Sequence, residues 1–130
     1  MNARPNAWLT QAENDLALAH LACDNGYLAQ ACFFASQAVE KALKSALLEL
    51  GQEPPHTHVL NDLTASLAAS GLDVAALEGL PLRRLSRMAI TSRYPLDATP
   101  PSELFDREET DQALDTAAAV IRALRACDKG

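Results

Sequence analysis

Apolar residues recur at spacings of three and four along most of the chain, and the pattern breaks at five places. The breaks are Asn25-Gly26, Gly51 to Pro55, Ser70-Gly71, Gly79 to Pro81, and Tyr94 to Pro101. A three-and-four spacing places residues on one face of an α-helix, and glycine and proline punctuate such faces. The pattern therefore predicts five helices, over about 4–24, 27–50, 58–70, 81–92 and 107–127.

The first predicted helix has an apolar stripe of Trp8, Ala12, Leu16, Ala19 and Cys23, with Asp15 at its edge. The second is apolar around more than half of its circumference, through Leu28, Ala31, Cys32, Phe34, Ala35, Ala38, Val39, Ala42, Leu43, Ala46 and Leu47. A helix of that kind must be contacted from several sides, so it is the expected centre of the fold. Its polar remainder is one stripe of Gln37, Glu40, Lys41 and Lys44.

The third helix turns Leu60, Leu63 and Leu67 inward, with Thr57 as its expected N-cap. A short turn over 73–78 follows. The fourth buries Leu82, Leu85, Met88 and Ala89. The fifth buries Leu114, Ala117, Ala118, Ile121 and Leu124, and Asp106 with Glu109 forms a variant of the capping box at its start. Short connections between long amphipathic helices imply antiparallel neighbours. The expected fold is an all-α, antiparallel, up-and-down bundle of four or five helices, a single domain spanning 1–130.

Composition supports that reading. The 130 residues are 48% hydrophobic and 22% charged, and only 5% are aromatic. A chain of this size can bury a real core, and alanine and leucine, abundant here, lose little side-chain entropy in a helix. There is no apolar stretch of the roughly 18 residues that a membrane span requires, and no signal-peptide pattern at the start. No membrane association is expected. The three cysteines, Cys23, Cys32 and Cys127, read as reduced thiols of a cytoplasmic protein and as small core residues.

Charge narrows the chemistry. The formal net charge is -6, so the chain as a whole does not attract a polyphosphate, and DNA is not an expected partner. Between Glu78 and Asp97, however, there is no acidic residue, while Arg83, Arg84, Arg87 and Arg93 all fall there. Arginine's planar fork matches phosphate and carboxylate oxygens. The plainer alternative is that these arginines pair with the acidic excess elsewhere in the bundle.

Other chemistry is not signalled. His20 reads as a surface residue, and His56 and His58 as loop residues without a matching ligand set, so no metal or other cofactor is expected. Cys32 lies on an apolar face, where a thiolate is disfavoured. There is no glycine-rich phosphate loop and no GxSxG. No catalytic residue is assigned.

The segment Phe33-Phe34-Ala35-Ser36-Gln37-Ala38-Val39-Glu40-Lys41-Ala42-Leu43-Lys44 is preceded by Trp8, Ala12, Asp15-Leu16 and Ala19. It is followed by Thr57-His58-Val59-Leu60 and Ser92-Arg93-Tyr94-Pro95. In that order the motifs resemble the HEPN family. The resemblance implies a four- or five-helix bundle that often forms homodimers and is related to the C-terminal helical domain of kanamycin nucleotidyltransferase. It also implies a partner, since small HEPN proteins are often encoded beside a minimal nucleotidyltransferase in toxin–antitoxin or related pairs.

Many HEPN proteins are ribonucleases with an Arg-x(4–6)-His motif. Here Arg93 aligns with the motif arginine, but Tyr94 follows it, and Ala98, Thr99 and Pro100 stand where the histidine belongs. None of these can act as general acid or base. The expected role is therefore binding. Lys41, Lys44, Arg93 and Arg87 are candidates to line a groove for nucleotide phosphates or an acidic partner surface, with Tyr94 stacking beside it. The alternative is a metal-independent ribonuclease that uses Arg93 with His58 as a non-standard base.

Overall fold

The computed structural model describes residues 2–128. Six α-helices follow one another among them: α1 (Ala3–Asp24), α2 (Leu28–Glu49), α3 (Leu60–Ala69), α4 (Ala75–Glu78), α5 (Leu82–Thr91) and α6 (Arg107–Asp128). A 3-10 turn at Pro101–Glu103 precedes α6. The five long helices are those the apolar spacing predicts. The turn expected over 73–78 contains the single helical turn α4, and the 3-10 turn is an element the spacing does not reveal.

α2 is the central helix. It packs against α1, α3, α5 and α6. Ala31, Ala35, Ala38 and Ala42 are fully buried along it, and so are Val39 and Leu43. Small side chains let neighbouring backbones come close, and the leucines of α3, α5 and α6 fill the remaining space. Leu60, Leu63, Leu67, Leu82, Leu85 and Leu114 are all buried.

The α1–α2 corner shows why the two helices run antiparallel. Gly26 has a φ of 84°, a left-handed conformation that suits glycine. With the chain turned there, the Tyr27 N–H donates to the Ala22 carbonyl at 2.8 Å and the Gly26 N–H to that of Cys23 at 3.0 Å. This is the pair of bonds that closes a helix with a glycine just past its end. Gly51, at φ 79°, closes α2 in the same way.

The start of α6 is a reciprocal capping box. The Glu109 N–H donates to Asp106 Oδ1 at 2.8 Å, and the Asp106 N–H donates to Glu109 Oε1 at 2.9 Å.

Ala89 and Ala118, expected in the core, are only half-buried, and three further details differ from the sequence reading. First, α1 turns Leu9 inward and leaves Trp8 and Leu16 half-buried, while Asp15 faces the interior at 4% exposure. The inward stripe is Pro5, Leu9, Ala12, Asp15, Ala19 and Cys23, so a carboxylate occupies a core position. Second, α3 begins at Leu60, with Val59 as the N-cap in place of Thr57. The Leu60 N–H is taken by Ser86 Oγ of α5 at 3.0 Å, and the Thr57 hydroxyl instead accepts from the Val59 N–H at 3.1 Å. Third, Cys127 is exposed, whereas Cys23 and Cys32 are buried.

Candidate functional site

The end of α5 fixes Arg93. Helix ends leave carbonyl groups without intrahelical partners, and a nearby cation can take one of them. Arg93 Nε donates to the Ala89 carbonyl at 2.7 Å. Its guanidinium carbon lies 5.0 Å from the ring centre of Phe33 on α2 and 5.1 Å from that of Tyr94. Phe33 is itself braced edge-on by Phe34, at 5.3 Å between ring centres. Both ring contacts are within cation–π range. One hydrogen bond and two rings therefore set the guanidinium plane. Its terminal nitrogens meet no acceptor among the described residues, and Tyr94 stays 55% exposed.

Lys41 and Lys44 belong to a different arrangement. Lys41 Nζ lies 2.5 Å from Asp15 Oδ2, and Gln11 donates to the other carboxylate oxygen at 3.1 Å. Lys44 Nζ lies 3.1 Å from Glu40 Oε2, and His58 Nδ1 is 2.9 Å from Glu40 Oε1. Glu40 is only 7% exposed. The polar stripe of α2 is thus largely enclosed rather than solvated. Its two lysines neutralise two buried carboxylates, as buried charges require. Trp8 and Gln11 flank Lys41 in a shallow surface groove.

The predicted site residues are therefore held by different partners, Arg93 by Ala89, Phe33 and Tyr94, and Lys41 and Lys44 by Asp15 and Glu40. Phe33, beneath Arg93, and Lys44 are eleven positions apart on α2. That is about 16 Å along the axis at 1.5 Å per residue. Arg93 and Lys44 are thus supported by well-separated turns of α2. Arg87 lies on the exposed side of α5 with no ion pair among the described residues, as does Arg83. Arg84 follows the plainer alternative and binds Glu109 at 3.1 Å and Gln112 at 3.3 Å.

His20, His56 and His58 are exposed, and no group of three or more His, Cys, Asp or Glu side chains among the described residues could hold a metal ion. Burial pushes the Cys32 thiol up to about 11, and the hydrogen bond with Thr110 opposes the shift only in part. Burial also raises the Cys23 thiol, although Arg107 nearby acts in the opposite direction. Both are protonated at neutral pH and are poor nucleophiles.

Nothing in the sequence signals that Phe33 supports Arg93, because sixty positions separate them. The burial of Asp15 and Glu40 escapes a sequence reading for another reason. A single carboxylate on an amphipathic helix reads as surface. The one available signal is spacing: Asp15, at the edge of the predicted stripe, lies three residues from Ala12 and four from Ala19.

The fold and its surface define an all-helical bundle with an arginine–aromatic shelf at the end of α5. The HEPN domain profile matches residues 5–127, and the chain belongs to that family. Three solved structures share the fold over nearly the whole length. TT1696 from Thermus thermophilus is 34% identical, with a TM-score of 0.87 and coverage of 97% of this chain and 98% of its own. ST0689, an archaeal HEPN homologue, is 26% identical, with a TM-score of 0.76 and the same coverages. A HEPN domain protein from Thermotoga maritima (TM0613) is 22% identical, with a TM-score of 0.69 over 95% of this chain and 98% of its own. No curated protein matches the chain. No helix among the described residues is long and apolar enough to cross a membrane.

Proposed function

We propose that this HEPN protein is a binding module for a phosphate-bearing ligand of the nucleotide class, with Arg93 as the anion contact and Tyr94 as the stacking surface. The observation that carries the reading is the state of Arg93. Its plane is set by the Ala89 carbonyl, Phe33 and Tyr94, while its terminal nitrogens have no protein acceptor among the described residues. A guanidinium held in place loses less freedom on gripping a phosphate than a mobile one does. Arg87, on α5 and free of ion pairs among the described residues, adds positive potential. Lys41 and Lys44 add little, since their charges are balanced by Asp15 and Glu40.

The test is a calorimetric titration with mononucleotides and with short single-stranded RNA, comparing wild type with Arg93→Ala and Tyr94→Ala. Binding that falls roughly tenfold or more in Arg93→Ala, as loss of a charged hydrogen-bond donor should cause, supports the site. Affinity unchanged by Arg93→Ala, or absent from wild type, rejects it.

The proposed setting is a cytoplasmic two-gene system, in which the chain forms a homodimer and pairs with a minimal nucleotidyltransferase. Support for a protein contact comes from Ile90, Tyr94 and Leu96, which are 56%, 55% and 69% exposed. These three lie within seven positions at the end of α5, and a partner that covers them would bury apolar surface. A monomer mass by light scattering at high concentration rejects the homodimer. Failure of the neighbouring gene product to co-purify rejects the second pairing.

A ribonuclease reading draws on one further observation. Glu40 orients His58 through Nδ1 and leaves the ring 83% exposed, an arrangement suited to proton transfer. Against it, Glu40 lies seven positions from Phe33 on α2, about 10 Å along the axis. The two groups are thus anchored about two turns apart on α2. Cleavage of single-stranded RNA that disappears in both Arg93→Ala and His58→Ala would establish the enzyme.

A further inference from the structure

A cavity of about 80 Å³ opens at the other end of α2, among Leu9 of α1, Ala42, Ala46 and Glu49 of α2, and Leu124 of α6. Leu72, from the turn after α3, closes one side, and Leu50 and the Cys127 thiol stand at the rim. Glu49 is sixteen positions from Phe33, about 24 Å along α2, so this cavity is separate from the Arg93 shelf.

The lining is apolar apart from Glu49 and Ser45, with the Cys127 thiol at the edge. Glu49 is half-buried, and its Oε2 is shielded from solvent with no hydrogen-bond partner among the described residues. The other polar side chain of the wall is already committed, because Ser45 Oγ donates to the Pro5 carbonyl at 2.7 Å. A carboxylate oxygen enclosed without a donor is costly, and such a group in a native fold calls for a partner. Arg4 does not supply one, since it is engaged with Glu53.

We propose that this cavity is a binding site for a small aliphatic ammonium. The alkyl part would lie against Leu9, Ala42, Ala46 and Leu124, and the ammonium would donate to Glu49 Oε2. The charge is complementary, because an ammonium offers only donors and a carboxylate only acceptors. The size also fits. A fully apolar cavity of about 150 Å³ holds benzene, so one of about 80 Å³ suits a chain of a few carbons. The Cys127 thiol at the rim is a built-in reporter, because the other two cysteines are buried.

The experiment uses the full chain and n-butylammonium as the probe, with n-butanol as the uncharged control. Binding is read by calorimetry and by the rate at which an aromatic disulfide reagent labels Cys127. The expected result is saturable n-butylammonium binding that slows labelling. Affinity should fall roughly tenfold or more in Glu49→Gln, which removes the charge but keeps the shape. It should also be lost in Ala46→Leu, which fills the cavity, while circular dichroism shows that both variants remain helical. No saturable binding by wild type overturns the proposal. So does equal affinity for n-butanol, or an affinity unchanged in Glu49→Gln. None of these outcomes bears on Arg93, whose titration is separate.

Discussion

Lys41 and Asp15 form an ion pair between α2 and α1 in which the carboxylate is almost wholly enclosed and the ammonium is only partly so. Two consequences follow from that asymmetry. The lysine reaches the acid by laying its methylenes along apolar surface, as long cationic side chains do. The acid, by contrast, has nowhere else to place its charge.

Removing the lysine alone should therefore be far worse than removing both partners. Lys41→Met leaves Asp15 buried and uncompensated, and should cost about 3–5 kcal/mol. The double change Asp15→Leu with Lys41→Met should be near neutral or stabilising, because a buried pair exchanged for apolar side chains sheds its desolvation cost. Urea denaturation of the two variants checks this. Equal losses in the single and double variants would show that the pair is worth more than its desolvation.

This pair also marks where sequence reading stops. Helices α1, α2, α5 and α6 are legible because their apolar periodicity spans several turns, and Asn25-Gly26 and Asp106 with Glu109 announce an end and a start. The position of Asp15 at the edge of the stripe is legible too, but its burial is not. Burial depends on whether Lys41 comes close enough to pair with it, and that is a tertiary fact. The start of α3 is displaced for a similar reason, since Ser86 on α5 takes the Leu60 N–H near the end that Thr57 is expected to cap. At the candidate site, Arg93 and Tyr94 can be named from their motif. The contribution of Phe33, and the separation of Arg93 from Lys41 and Lys44, depend on how α5 docks against α2.

The capping box at the start of α6 offers a smaller and cleaner test. Asp106→Ala removes the oxygen that accepts from the Glu109 N–H. The expected loss is about 0.5–2 kcal/mol, without change in the folded structure. Glu109→Ala should add the loss of the partly exposed contact to Arg84, which contributes little by itself. Thermal unfolding of the two variants should therefore give similar shifts. A much larger effect of Glu109→Ala would mean that its link to Arg84 matters more than the cap.

The thiols predict a pH dependence. Cys32 titrates at about 11 in the folded chain because of its burial, above an ordinary thiol. A group whose folded value is raised favours the protonated form in the native state. Its contribution to stability is thus complete below about pH 8.5 and is lost as pH rises from there through about 11. Stability measured by urea denaturation should fall across that window, and Cys32→Ser or Cys32→Ala should flatten the decline. In native protein at about pH 8, just below the ordinary thiol range, only Cys127 should react quickly with a thiol reagent, with Cys23 and Cys32 following on unfolding. Rapid labelling of all three in the folded state would mean that the α1–α2 corner opens readily.

The separation of Arg93 from the α2 lysines makes affinity and stability separable. Arg93 is exposed, and its losses on mutation are a hydrogen bond to one helix-end carbonyl and two ring contacts. Arg93→Ala should cost no more than about 1–2 kcal/mol of stability, while nucleotide binding collapses. Lys44→Met should do the reverse. It strips one partner from the buried Glu40, leaving the carboxylate to His58 alone, and so it should lower stability by more than Arg93→Ala does. Nucleotide affinity should hardly change, since Lys44 is about 16 Å along α2 from the ring that supports Arg93. Salt adds a third measurement. An exposed contact to phosphate is screened over about 8–10 Å at physiological ionic strength, so raising salt should weaken binding in wild type more steeply than the residual binding of Arg93→Ala, where Arg87 remains. Calorimetry at two salt concentrations, paired with denaturation of the same samples, measures all of this. If Lys44→Met lowers affinity as much as Arg93→Ala does, the ligand spans both regions of α2, and the single-arginine site is wrong.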